Sequence, residues 1–363
     1  MTDIASIAFR AKPRRLLSSF ETWPGWLFYA PIPFVWLYLA ARHGNLTLPT
    51  IANTASALSG YLGESKSEGL ALLGSKGRAH LAPYTTFMTS EAQDETERRA
   101  RLAMQKKGLE FPIVIKPDIG QNGAGVKIVG DRGALARWLA AFPYNVKVIL
   151  QSYIPHEGEA GIFYFRKPNC ERGWVASLTL KHLPIVRGDG LSTLRELILE
   201  DHRARHLAEL YFARNHKRLG WVVPEGARVR LASVGNHCKG AVFKNGAAHI
   251  TPQMEAAFDA IAREIPGFYF GRFDVKFHSL GELQRGENFS ILEINGGDAE
   301  MTHIWDAEET LRGAYETLFR QYSLAFEIGA QNRAAGGRPV SVAAFLAEWL
   351  RNRARLHRYR AEE

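Results

Sequence analysis

Two periods organise the apolar residues of this chain: strand-like alternation and helical stripes. Ile113, Val114 and Ile115 form a β-branched run that stops at Lys116-Pro117, which predicts a buried strand delivering a lysine from a rigid end. Pro117 lacks a backbone donor and ends the pairing. Gly120, Gly123 and Gly125, with Ala124 between them, then let the chain turn back with its N–H groups exposed, and Val126-Lys127-Ile128-Val129 resumes a strand. Phe268-Tyr-Phe-Gly-Arg-Phe-Asp-Val-Lys-Phe277 reads as a further strand and Phe289-Ser-Ile-Leu-Glu-Ile294 as its antiparallel partner, with Gly281 and Gly286 in the turn. Alternation places Glu293 and Asn295 on one face and sends Leu292 and Ile294 to the core. Lys147-Val-Ile-Leu-Gln-Ser-Tyr-Ile-Pro155 is a short apolar strand running into a hinge.

Helical signals punctuate these strands. Residues 91–107 predict a charged helix whose inner side is marked by Leu102 and Met104. Gly188-Asp-Gly190 leads into a leucine stripe opened by Thr193 and Glu196 at capping-box spacing. After a glycine-rich linker at 334–339, Ser341 can cap a final helix whose Val342, Phe345, Leu346, Trp349 and Leu350 form one apolar stripe. Residues 46–53 could supply one strand of a preceding α/β unit. The expected organisation is an N-terminal region over 1–75, a subdomain with the glycine-rich loop over 76–155, a second subdomain over 156–330, and a linker with a basic helix over 331–363.

Composition narrows the chemistry. A chain of 363 residues buries a substantial core, and the pair Cys170 and Cys238 argues against a disulfide framework and for a reducing compartment. The formal net charge of +9 points to anionic partners, but part of it is local, because Arg351, Arg353, Arg355, Arg358 and Arg360 crowd the C-terminus. Without aromatics interleaved among these cations, nucleic acid is not expected as a partner. The histidines are not spaced as a metal-ligand set, and no protein nucleophile with its base is apparent. Asp274, Glu293 and Asn295 offer hard oxygens suited to Mg2+ held jointly with phosphates.

Taken in order, the strand ending in Lys116, the glycine-rich loop, Gly271-Arg-Phe-Asp-Val275 and Leu292-Glu-Ile-Asn-Gly296 resemble the ATP-grasp superfamily. Within it they resemble the D-alanine–D-alanine ligases and the cyanophycin-synthetase-like carboxylate–amine ligases. The resemblance spans roughly 63–295. It implies an α+β fold in which two α+β subdomains clamp ATP, here with a short, atypical aromatic N-terminal region. It also implies Lys116 and Lys66 on the nucleotide phosphates, and Asp274, Glu293 and Asn295 on two Mg2+ ions. Arg272 would stabilise a tetrahedral intermediate. Gly120, Gly123, Ala124 and Gly125 would cover the triphosphate, Gln151, Ser152, Tyr153 and Ile154 would meet adenine, and Glu159, with Glu157 as its rival, would meet the ribose. His182, Arg187, Asn236, His237 and Lys239 are candidate substrate contacts.

The implied activity joins a carboxylate to an amine or hydroxyl through an acyl phosphate, giving ADP and phosphate. The alternatives are an ATP-grasp kinase acting on a small-molecule or lipid-linked acceptor, and a membrane-associated nucleotide-binding protein without catalysis. A homodimer is compatible with either.

The amino-terminal segment departs from the D-alanine–D-alanine ligase pattern. Arg10, Lys12, Arg14 and Arg15 precede 23–41, a run without charge that is rich in Trp and Tyr. Pro24, Pro31 and Pro33 interrupt it and leave too short a helix to cross hydrocarbon. Either these aromatics pack on the body or they sit in a membrane interface, which gives a cytoplasmic location, free or at the inner face of the membrane. Small-molecule or lipid-linked carboxylate and amine substrates are the expected partners.

Overall fold

The structure, a computed structural model, describes residues 17–120, 123–232, 235 and 240–360. The elements that frame the molecule are, in chain order, helix α1 (Ile32–His43), helix α2 (Lys66–Ala71), strand β1 (Tyr84–Met88), helix α3 (Gln93–Lys107), strands β2 (Ile113–Pro117) and β3 (Lys127–Val129), and helix α4 (Arg132–Ala140). Strands β4 (Lys147–Ser152), β5 (Gly158–Phe165), β6 (Trp174–His182), β7 (Ile185–Arg187), β8 (Arg228–Arg230) and β9 (Val242–Asn245) follow. The last are helix α5 (Pro252–Arg263), strands β10 (Phe270–Phe277) and β11 (Phe289–Asn295), and helices α6 (Leu311–Ala334) and α7 (Val342–Arg360). The fold is α+β, with antiparallel sheets.

β1, β4, β2 and β3 form one sheet in that order, and β2 pairs with β3 as the hairpin expected from the glycine-rich tip. Ile113, Ile115, Val148 and Leu150 face α3 and α4 and share a core with Ala100, Met104, Leu135 and Leu139. α3 buries Thr96, Ala100 and Met104, four residues apart, whereas Leu102 is 42% exposed and does not mark the inner side as expected. Helical geometry turns position 102 about 200° away from position 100.

The larger sheet runs β11-β10-β5-β6-β9. One face is apolar: Ala160, Ile162, Leu178, Leu180, Phe273, Val275 and Ile294 pack on α5 through Met254, Phe258, Ile261 and Ala262. Each large side chain fully buried there contributes about 1.5–3 kcal/mol relative to exposure. The other face is divided: at one end Phe163, Phe165 and Phe270 pack on α6 through Leu324, Ala325 and Ile328, and beyond them it carries polar residues of the same strands.

Three expectations are corrected. The turn between β10 and β11 is a short helix, Leu280–Gln284, capped by Ser279. Residues 46–53 hold no strand; they contain the 3-10 turn Leu48–Ile51, which packs on α6. Leu292 is only half-buried, because β11 carries a bulge there: Asp274 pairs with Glu293 but Val275 pairs with Ile291. The capping box at Thr193 and Glu196 is present as anticipated, opening the helix Leu194–Glu200.

The aromatic N-terminal segment splits between two environments. Phe20 and Phe28 stack at 5.2 Å and pack with Trp305 and Tyr315, while Trp36 meets Phe326 edge-on. Among the described residues, no helix is long and apolar enough to cross a membrane.

Candidate active site between the two sheets

β10 presents Arg272, Asp274 and Lys276 on the polar face of the larger sheet, because alternate side chains leave a strand on the same side. Register then brings Glu159 opposite Lys276 and Lys181, Gly161 opposite Asp274, and Glu293 opposite Asp274 from β11. Asp274 is buried and receives hydrogen bonds from Arg272 Nε (2.9 Å) and Nη2 (3.1 Å), Lys181 Nζ (2.8 Å) and Asn295 Nδ2 (3.0 Å). Burial opposes its ionisation, but the two cations prevail and hold its pKa far below the usual carboxylate range. Gly161 keeps the space open: a Cβ there would stand 3.0 Å from Arg272 Cδ and 3.3 Å from Asp274 Oδ1. Glu159 lies beside Lys181 (3.6 Å) and Lys276 (3.9 Å), whereas its rival Glu157 pairs with Arg230 at the surface.

The smaller sheet contributes from across the cleft. Lys116 is buried and donates to Gln151 Oε1 (3.0 Å) and to the backbone oxygen of Leu292 (3.2 Å) on the β11 bulge. Burial lowers its pKa, against the pull of Glu293. Gln151 is itself buried and turned toward Lys116 and Leu292. Ser152 pairs its N–H with Pro83, and Tyr153 with Pro112, so backbone groups of 152–153 follow the sheet edge.

Lys66 sits at the first position of α2. Its Nζ donates to Gly120 O (2.6 Å) and lies 3.3 Å from Glu293 Oε1, so it bridges the glycine-rich tip and the larger sheet. Asp118 fixes this placement: it accepts from Ser65 Oγ (2.6 Å) and Ser67 N–H (2.8 Å), and its own carbonyl accepts from Lys66 N–H (3.0 Å).

Carboxylates crowd the same cleft. Burial, with Asp298 and Glu293 nearby, pushes Glu64 up to about 7 against a hydrogen bond from Gly296 N–H. Asp298 has solvent-accessible surface, yet the dense packing around it, aided by Glu293 and opposed by Lys66 and Arg272, raises it to about 6. Arg272 Nη1 also donates to Glu300 O (3.0 Å), and the Glu300 carboxylate receives Tyr29 OH (2.7 Å) and Trp305 Nε1 (2.8 Å).

Lys66, Lys116, Arg272, Asp274, Glu293, Asn295 and Glu159 therefore converge. Arg187 does not join them: it is exposed on the two-stranded ribbon of β7 and β8. His182, at the end of β6, is largely buried near Lys244 and Asp306, and burial lowers its pKa. Asn236, His237 and Lys239 lie outside the described residues. Sequence reasoning missed Asp118, Glu64, Asp298, Glu300 and the role of Lys181. The signal for Asp118 was its place one residue past the strand end; that for Lys181 was its even spacing from Ser177 and Thr179 along β6.

The oxygens of Asp274, Glu293 and Asn295 match a hard cation in kind and share one sheet face. Asp274 is already saturated by protein donors, and among the described residues no group of three His, Cys, Asp or Glu is arranged to hold a metal by itself.

No protein-family model matches the chain, and no curated protein sequence matches it. Solved structures that align with it include a bifunctional glutathione synthetase from Pasteurella multocida at 16% identity and a TM-score of 0.36, covering 67% of this chain and 34% of that one. VanG D-Ala:D-Ser ligase from Enterococcus faecalis aligns at 15% identity and 0.39, covering 74% and 61%. D-alanine–D-alanine ligase from Bacillus anthracis aligns at 15% and 0.40, covering 75% and 69%. The chain thus spans about a third of the length of the first and three-fifths of the second.

Proposed function

We propose that the cleft binds ATP and activates a carboxylate as an acyl phosphate, which an amine or hydroxyl then attacks to give an amide or ester, ADP and phosphate. One observation carries this reading: two lysines from separate elements, Lys66 and Lys116, are brought to the same edge of a sheet that presents Glu293 beside an Arg272–Asp274 pair. Phosphoryl transfer asks for positioned positive charge more than for a protein nucleophile. Lys66 and Lys116 would neutralise the phosphates, with Gly120, Gly123, Ala124 and Gly125 over them and the backbone of 151–154 beside the base. Glu159 would accept from the ribose.

Asp274, Glu293 and Asn295 would hold Mg2+, which supplies charge neutralisation between the phosphates; Asp274 would release one of its donors to do so. Arg272, fixed by Asp274 and Glu300 O, would face the oxyanion formed as the acceptor attacks. Lys181 stands where β6 continues the polar face and would help place the acceptor.

The test is incubation with ATP, Mg2+ and fractionated cell metabolites, beside Glu293→Gln. ADP, free phosphate and a new amide or ester, all lost in the variant, are the expected products. AMP with pyrophosphate would overturn the acyl-phosphate route, and ADP with a stable phosphorylated metabolite would assign a kinase.

A further inference from the structure

α1 is apolar on every side, yet only one side is covered. Val35, Trp36, Leu39 and Ala40 pack against α6 and the turn at Leu48, a stripe at helical spacing. The opposite stripe is open: Phe34 is 74% exposed, Leu37 58% and Tyr38 53%, and Trp26 just before the helix is 75% exposed. Phe319 of α6 extends this surface, its ring 6.3 Å from that of Tyr38. A helix apolar all round is ordinarily buried on all sides.

A second open stripe lies on α7. The chain at Val340 is tied to Thr47, whose Oγ1 donates to Val340 O (2.6 Å), so α7 starts close to the end of α1. Val342, Leu346, Trp349 and Leu350 of α7 are all exposed, one helical turn apart in sequence, and Arg351, Arg353 and Arg355 follow them.

Chemistry selects the occupant. The exposed side chains combine Trp, Tyr and Phe with aliphatics, the mixture favoured where water meets acyl chains. Cations stand near them: Arg42 lies in the last turn of α1, Arg320 adjoins Phe319, and both are exposed. The sequence before Leu17 carries Arg10, Lys12, Arg14 and Arg15 against Asp3 alone. We propose that the aromatic face of α1 and residue 26, together with the apolar stripe of α7, docks on the surface of an anionic phospholipid bilayer without crossing it. The attachment does not depend on the chemistry of the cleft.

The experiment uses the full chain, sedimented with vesicles of phosphatidylcholine containing phosphatidylglycerol or of phosphatidylcholine alone. The partners are Trp26→Ser/Phe34→Ser/Tyr38→Ser and, independently, Leu346→Ser/Leu350→Ser. Wild type should sediment with the anionic vesicles, and each variant should partition at least roughly tenfold less, since every large side chain withdrawn from water matters at that scale. Unchanged thermal unfolding shows that a variant is folded, and either set alone suffices. Three outcomes overturn the proposal: wild type stays in the supernatant with both vesicles, both folded variants bind as wild type does, or velocity sedimentation finds a dimer that the variants dissociate while no vesicle binds. The last assigns the surface to a second copy of the chain.

Discussion

Arg272 and Asp274 are two residues apart on one strand, so the guanidinium fork closes on the carboxylate from along the same face. Lysine cannot reproduce that two-point contact. On the proposed ATP chemistry, Arg272→Lys should lower turnover by roughly a hundredfold, the scale of losing one oriented donor at developing charge, with unfolding near that of wild type; phosphate release and a melting curve check both. Glu64 gives a pH signature. Its carboxyl is raised from an ordinary 4.5 to about 7, chiefly by burial. Over that window the folded chain keeps the proton that the unfolded chain has released, so the stabilisation is full below pH 4.5 and disappears as pH rises to about 7. Glu64→Gln should therefore show a flatter decline of Tm across this window than wild type. At this scale the sequence was readable where a residue stands in a strand pattern, as with Lys116, Asp274 and Glu293. It was silent on Glu64 and Asp298, whose properties come from crowding by residues distant in the chain.

Strands and helices decide which of these groups can meet. Gly161 lies opposite Asp274 and under the Arg272 side chain, and Gly161→Ala would force the pair apart by a few tenths of an ångström. Turnover should fall on the order of tenfold, more than stability does, because a small misplacement suffices. The Leu194–Glu200 helix tests a purely structural element: Thr193→Ala removes its capping box and should cost about 1 kcal/mol, lowering Tm by about 2 °C. Its cap was legible because the two side chains are local. The β10–β11 connection was not: glycine content suggested a tight turn, while Ser279 accepting from Glu282 N–H opens a helical turn instead. The phase of α3 was misjudged for a similar reason, since Leu102 is apolar but lies off the Thr96–Ala100–Met104 line.

Across the molecule, the N-terminal segment is wired to the cleft. Tyr29 OH and Trp305 Nε1 share the Glu300 carboxylate, whose residue's backbone oxygen receives Arg272. Tyr29→Phe keeps the ring packing and deletes one bond; the unfolding free energy from a urea titration should fall by about 1 kcal/mol. No sequence pattern announced this link, which joins positions 271 apart. The bulge in β11 has a consequence of its own. Ile291 faces the core and Glu293 the cleft, although in an unbroken strand residues two apart would share a side. Leu292 is thus a spare beat in the rhythm of the strand: without it, Ile291 and Glu293 become neighbours, still opposite Val275 and Asp274. What vanishes is a carbonyl, the one on which Lys116 rests. If the cleft binds ATP as proposed, a chain lacking Leu292 should keep its fold and bind the nucleotide more weakly, which nucleotide titration alongside circular dichroism would reveal.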